Sequence, residues 1–152
     1  MRISPEFQNR FKELLNESSY ENKTIAAEKI GITYVTFSKA YNYGIVPKVS
    51  VLIQIADSFN VSMEYLLSHT DDDRFLRSNN PKTFQERLVQ LKEQKELKSF
   101  YELAEKTHIH KSNISQWLLK NYLPEIDTLE VLADFFDVTL DYLLGRTDDR
   151  NI

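Results

Sequence analysis

The 152-residue chain is predicted to be all-α, arranged as two tandem five-helix units, and three observations carry that expectation. Gly and Pro together account for 7 of 152 residues, against roughly 12% in an average soluble protein, so sheet-rich folds and Gly-rich phosphate loops are disfavoured. Apolar residues recur at helical spacing throughout. The sequence also aligns with itself at an offset of 77, where residues 7–72 match 84–149 without a gap and 21 of 66 positions are identical. Among the identities are Phe7/Phe84, Arg10/Arg87, Leu14/Leu91, Pro47/Pro124, Tyr65/Tyr142 and Asp71/Asp148. Two copies are too few for a solenoid, and a unit of about 65 residues can just bury a core alone. The expected organisation is a domain over residues 1–73, a linker over 74–82 and a second domain over 83–152.

Each element follows from local pattern. Phe7, Phe11 and Leu14, and their counterparts Phe84, Leu88 and Leu91, recur at i, i+4, i+7 and define the first helix of each unit. Residues 23–42 read as two short helices broken at Gly31. Ala27 is small where the two must approach, Gly31 can take positive φ, Thr33 can cap the second helix, and Phe37 and Ala40 face inward. The second copy places Ala104, His108, His110, Ile114 and Trp117 at these positions; His is among the few other types enriched at positive φ. This is the logic of a helix-turn-helix. Pro47 and Pro124 precede a further stripe, Leu52-Ile55-Ala56-Phe59 and Leu129-Leu132-Ala133-Phe136, at i, i+3, i+4, i+7. Ser62 and Thr139 then cap a last short helix ending near Leu67 and Leu144.

Composition excludes several function classes. No apolar run exceeds three residues, whereas a membrane helix needs about 20, and Met1–Pro5 lacks the apolar core of a signal peptide, so a cytoplasmic protein is expected. Cysteine is absent, which removes disulfides, thiolate nucleophiles and Cys-based zinc sites. His69, His108 and His110 make neither a metal-ligand spacing on a helix nor a catalytic pair, so no enzyme and no cofactor is expected. Residues 1–78 hold 9 basic and 10 acidic side chains, and residues 79–152 hold 10 and 13, so neither half is a basic body. The acids gather in Asp71-Asp72-Asp73 and in Glu125, Asp127, Glu130, Asp134, Asp137 and Asp141; the Asp run reads as a solvated tail rather than a metal site because it lacks EF-hand spacing.

Taken in order, the motifs resemble the five-helix DNA-binding domain of the Cro and phage-repressor type, the XRE family of lambda-repressor-like helix-turn-helix domains. The second copy carries the fuller signature, with Phe84-Gln-Glu-Arg-Leu, Leu103-Ala-Glu-Lys, Asn113-Ile-Ser-Gln-Trp, Pro124 followed by Thr128-Leu129, and Val138-Thr-Leu-Asp-Tyr-Leu-Leu-Gly145. The resemblance covers about nine tenths of the chain. Where the family often has Gln opening the first helix of the motif, this chain has Lys23 or Phe100; where it has an acid and then glycine after the recognition helix, the chain has Tyr41 or Leu118, then Tyr43 or Lys120.

The resemblance implies a recognition helix lying in the major groove of double-stranded DNA with its first residues against base edges. In the second copy the implied base-reading residues are Lys111, Ser112 and Gln116, with His110 and Asn113 near the DNA backbone and Lys120, Asn121 and Lys98 as flanking phosphate donors. Gln can pair bidentately with adenine, and Lys can donate to guanine O6 and N7. In the first copy the matching base-reading positions are Tyr34, Val35 and Lys39, with Thr33 and Thr36 alongside and Lys23, Asn42, Tyr43 and Lys48 toward the backbone. The expected function is sequence-specific double-stranded DNA binding by a bacterial or phage-type transcriptional regulator, with DNA and a second copy of the chain as partners. The alternative is a protein-interaction module that keeps the fold and has lost the DNA surface of one or both copies. In it, Lys111, Ser112 and Gln116 form a solvated face, and Tyr34, Val35, Tyr41, Tyr43, Ile45 and Val46 form a contact patch.

Overall fold

The computed structural model describes residues 1–150, and among them it is all-α. The last two residues of the domain expected over 83–152 lie outside the described residues. The chain divides into two compact units, Met1–Phe75 and Leu76–Ile152. Unit 1 contains α1 (Pro5–Glu17), α2 (Lys23–Ile30), α3 (Tyr34–Tyr43), α4 (Val49–Phe59) and α5 (Met63–Leu66). Unit 2 contains α6 (Phe84–Gln94), α7 (Phe100–Thr107), α8 (Lys111–Lys120), α9 (Ile126–Phe136) and α10 (Leu140–Leu143). From α2 and α7 onward, each helix of unit 2 starts and stops 77 residues after its counterpart.

Capping chemistry explains the boundaries. Ser4, Asn22, Thr33 and Ser62 in unit 1, and Thr83, Ser99, His110 and Thr139 in unit 2, each accept a backbone N–H of the first turn. Helix ends fall on left-handed residues: Gly31, Gly44 and Asn60 in unit 1, and His108, Asn121 and Asp137 at the same offset in unit 2. Ser19 and Glu96, and Ser68 and Gly145, complete the positive-φ pairs, so the backbone turns at the same places even where the side chains differ.

The apolar stripes meet inside each unit. In unit 1, Phe7, Phe11 and Phe37 are fully buried, with Phe11 edge-on to Phe37 at 5.2 Å, and Leu52, Ile55, Met63 and Leu66 close the core. In unit 2, Phe84 meets Trp117 edge-to-face at 5.7 Å above Leu88, Leu103, Ile114 and Leu129. Each such aliphatic or aromatic side chain contributes roughly 1.5–3 kcal/mol on burial, enough together to hold a helix as short as α2 that would not form alone.

A charged clamp repeats in both units. Arg10 is buried with its guanidinium 3.8 Å from the Tyr65 ring centroid, and donates to Asp71 at 3.0 Å and to the Thr70 carbonyl at 3.4 Å. Arg87 lies 3.9 Å from the Tyr142 ring, donates to the Thr147 carbonyl at 3.3 Å and pairs with Asp148 at 3.8 Å. The clamp ties the chain after the last short helix back to the first helix. Part of the acidic run expected to be solvated is thus engaged: Asp71 pairs with Arg10, and hydrogen bonds from the Arg74 side chain, and then from its backbone N–H, lower the Asp72 carboxyl pKa to about 2. Among the other acids, Asp141 is fully buried in an ion pair with Arg146.

The segment expected as a linker is divided. Unit 1 runs through Phe75, while residues 76–82 are held to the end of unit 2. Ser78 N–H donates to the Arg146 carbonyl at 2.9 Å, Lys82 N–H donates to the Gly145 carbonyl at 3.3 Å, and the Thr147 hydroxyl donates to the Leu76 carbonyl at 2.6 Å.

Candidate nucleic-acid interface

The second helix of the two-helix motif in unit 2 is α8. Its buried residues, Ile114 and Trp117, dock it on the core, and Lys111, Ser112, Asn113, Ser115, Gln116, Leu119 and Lys120 are exposed. Helical geometry places Ser112, Gln116 and Leu119 along one edge, at i, i+4, i+7, with Lys111 at its start. His110 serves as the N-cap: its Nδ1 accepts the Ser112 N–H at 3.2 Å and lies 2.7 Å from the Ser112 hydroxyl. With Nδ1 an acceptor, the ring proton sits on Nε2, which leaves His110 an outward donor. Asn121 caps the C-terminus in the left-handed conformation, and Lys98 is exposed just before α7, its backbone N–H directed to Glu102 at 3.4 Å.

The corresponding surface of unit 1 has different chemistry. On α3, Tyr34, Val35 and Tyr43 are 50%, 62% and 66% exposed, and Lys39 is the exposed cation among them. Thr33 caps the helix and shares a hydroxyl hydrogen bond with Thr36 at 3.0 Å, and Asn42 donates to the Ser38 hydroxyl at 2.9 Å. Lys48 is exposed at the start of α4. The apolar patch is narrower than expected: Val46 is buried, Ile45 pairs with Ile3 as an isolated antiparallel bridge, and Tyr41 is half-buried, stacked on Phe37 at 6.1 Å. The Tyr41 ring gathers two cations, Lys12 at 4.9 Å and Lys23 at 4.0 Å from its centroid. At the same offset unit 2 has Val89, Phe100 and Leu118, with only Lys92 over Phe100 at 5.2 Å.

Three side chains join the surface that sequence reasoning did not single out. Lys12 lies on α1, outside the two-helix motif, and no local pattern connects it to Lys23. Tyr101, 58% exposed on α7, lies beneath the Lys111 ammonium at 5.7 Å. Leu119, 82% exposed, was detectable from its spacing to Ser112 and Gln116.

Comparison with known proteins bears on this geometry. Residues 89–143, from within α6 to the end of α10, match the family model described as helix-turn-helix. A curated relative, the uncharacterized HTH-type transcriptional regulator YobD of Bacillus subtilis (strain 168), is 41% identical over 64 residues. That alignment covers 42% of this chain and 56% of the relative, so the chain spans little more than half of the relative's length. No solved structure matches the chain. The matched segment contains α7, the turn at His108 and α8, so the similarity to helix-turn-helix domains falls on the two-helix motif of unit 2. No helix of the described residues is long and apolar enough to cross a membrane.

Proposed function

We propose that this protein is a cytoplasmic transcriptional regulator that binds double-stranded DNA in a sequence-specific manner, with α8 in the major groove. The observation that carries this reading is the exposed polar edge of α8, on a helix capped at both ends and docked by Ile114 and Trp117, within the segment that matches helix-turn-helix domains. Lys111, Ser112 and Gln116 read base edges, and His110, Asn113, Lys120, Asn121 and Lys98 hold the backbone. Leu119 adds an apolar contact of the kind a thymine methyl accepts.

Unit 1 is proposed as a second domain of the same family, supported by its helix boundaries and positive-φ residues at the constant offset. Its share is weighted toward the backbone. Lys12 and Lys23, converging on Tyr41, supply two cations for phosphate oxygens, together with Lys48, Asn42, Tyr43 and the Thr33–Thr36 pair. Tyr34, Val35 and Lys39 face the bases. A second reading is favoured by one observation, the exposure of Tyr34, Val35 and Tyr43 together: α3 then meets a second copy of the chain, and unit 1 is the dimer-forming module.

The test is selection of bound fragments from a random duplex pool at stated salt, followed by Lys111→Glu. Selection of a defined motif by the native chain, and its loss in the variant, are expected. Intact duplex binding by Lys111→Glu at both low and physiological salt would falsify the proposed reading surface. Val35→Glu separates the roles of unit 1: lost DNA binding with an unchanged oligomeric state places α3 in a groove, whereas loss of a dimer places it in a protein interface.

A further inference from the structure

We propose that Gln85 is a positioning residue for DNA reading, which sets how the exposed edge of α8 and the loop beyond it are presented; the inference rests on the proposed role of α8. Gln85 occupies the second position of α6, and its side-chain amide donates to two carbonyls that no α-helical bond satisfies in common: Trp117, at 3.1 Å, and Tyr122, at 3.0 Å. Trp117 directly follows Gln116. Tyr122 directly follows the left-handed Asn121, and its ring lies 5.8 Å from the Lys120 ammonium. One amide group thus holds together the turn of α8 that follows Gln116 and the loop that follows Lys120.

The comparison between units isolates this function. Gln8, the same residue at the same offset, donates to one carbonyl only, that of Tyr41 at 2.8 Å. The loop after α3 is instead held by backbone pairing with the N-terminal segment: Ser4 N–H donates to the Gly44 carbonyl at 2.8 Å, and Val46 N–H donates to the Arg2 carbonyl at 2.9 Å. In unit 2 the counterpart of Ser4 is Pro81, which has no N–H to donate, and the neighbouring Ser78 and Lys82 bond instead to Arg146 and Gly145. The loop 121–123 therefore depends on a side chain where the loop 44–46 depends on backbone. A tilt of α8 that shifts Gln116 by an ångström breaks bidentate geometry at a base edge, but hardly affects a lysine over a phosphate.

The experiment uses the full chain, the duplex selected by the native protein and a scrambled duplex of equal length. Gln85→Met keeps length and neutrality and removes both donated bonds; Gln8→Met is the matched control. Gln85→Met is expected to lower the ratio of selected to scrambled affinity about tenfold, with scrambled affinity unchanged, and Gln8→Met to lower it about twofold at most. A preserved ratio, or an equal loss on both duplexes, overturns the proposal. Amide hydrogen exchange at residues 118–123 tests the clamp without DNA: faster exchange in Gln85→Met is expected, and unchanged protection there overturns it. A native chain that selects no sequence, yet shows that faster exchange, refutes the DNA-reading function while leaving the clamp itself supported.

Discussion

Gly145 and Ser68 occupy the same place in the two units, and both have positive φ, at 75° and 61°. The turn alone therefore does not require glycine. What requires it in unit 2 is the backbone of Lys82, whose carbonyl oxygen lies 1.9 Å from where a Cβ on residue 145 would sit. Gly145→Ser, which installs the unit 1 residue, is expected to destabilise unit 2 by at least about 2 kcal/mol and to release the Ser78 and Lys82 amides to exchange. Gly31→Ala gives the contrast. Its Cβ would meet only the flexible Gln54 amide, at 3.5 Å, so the loss should stay near the ~1–2 kcal/mol of a left-handed non-glycine residue. The same exchange of Ser68 for Gly145 has an electrostatic consequence: Ser68 accepts from Arg10 Nε at 3.4 Å, whereas Arg87 Nε is buried without a partner. On the reading surface, Gln116→Ala is expected to cost about 1–3 kcal/mol on the selected duplex and almost nothing on a scrambled one, measured by titration at fixed salt.

The start of α6 depends on a titratable side chain. Thr83 and Glu86 form a reciprocal capping box, with the Glu86 carboxylate accepting the Thr83 N–H at 3.1 Å and Thr83 accepting the Glu86 N–H at 3.0 Å. The donated Thr83 backbone bond, first, and the Thr83 side chain, second, hold the Glu86 carboxyl below its ordinary 4.5. A carboxyl whose folded pKa is lowered stabilises the helix above its unfolded value, and that support is lost as pH falls through the lowered one. The protection of amides at the start of α6, corrected for the intrinsic exchange rate at each pH, should therefore fall as pH drops below about 4.5, and Glu86→Gln should flatten that dependence. Thr83→Ala removes the other half of the box and should cost about 1 kcal/mol in chemical denaturation. Because α6 also carries Gln85 and Arg87, its first turn connects helix stability to the seating of α8.

For the molecule as a whole, the charge of −4 would set the terms of the proposed DNA binding. With little net attraction to phosphate, affinity for scrambled duplex at physiological salt should be weaker than about 10⁻⁶ M, so that discrimination rests on local groups such as Lys111 and Gln116. If both units read DNA as proposed, one chain is expected to protect two half-sites, or more if chains pair. A footprint of a single half-site by a demonstrated monomer would remove the two-site arrangement and favour the protein-contact role of α3.

Helix number, type and limits were legible in the sequence because their causes are local. The i, i+4, i+7 stripes, the caps at Thr33, Ser62 and Thr139, and the left-handed His108 and Gly31 act within a few residues of chain, and the 77-residue offset checks each against a copy. The exposed edge of α8 proposed to read DNA was legible as a surface for the same reason, since exposure on α8 follows from which positions Ile114 and Trp117 take into the core. Only the tertiary structure decided the rest. Arg87 reaches Thr147 across 60 positions, the Thr147 hydroxyl reaches Leu76 across 71, and Gln85 reaches Tyr122 across 37. The identities Arg10/Arg87, Tyr65/Tyr142 and Asp71/Asp148 marked the clamp residues without saying that they meet. Such pairings depend on where packed helices bring distant side chains, and one-dimensional periodicity, which records only the face a residue occupies, carries no information about that.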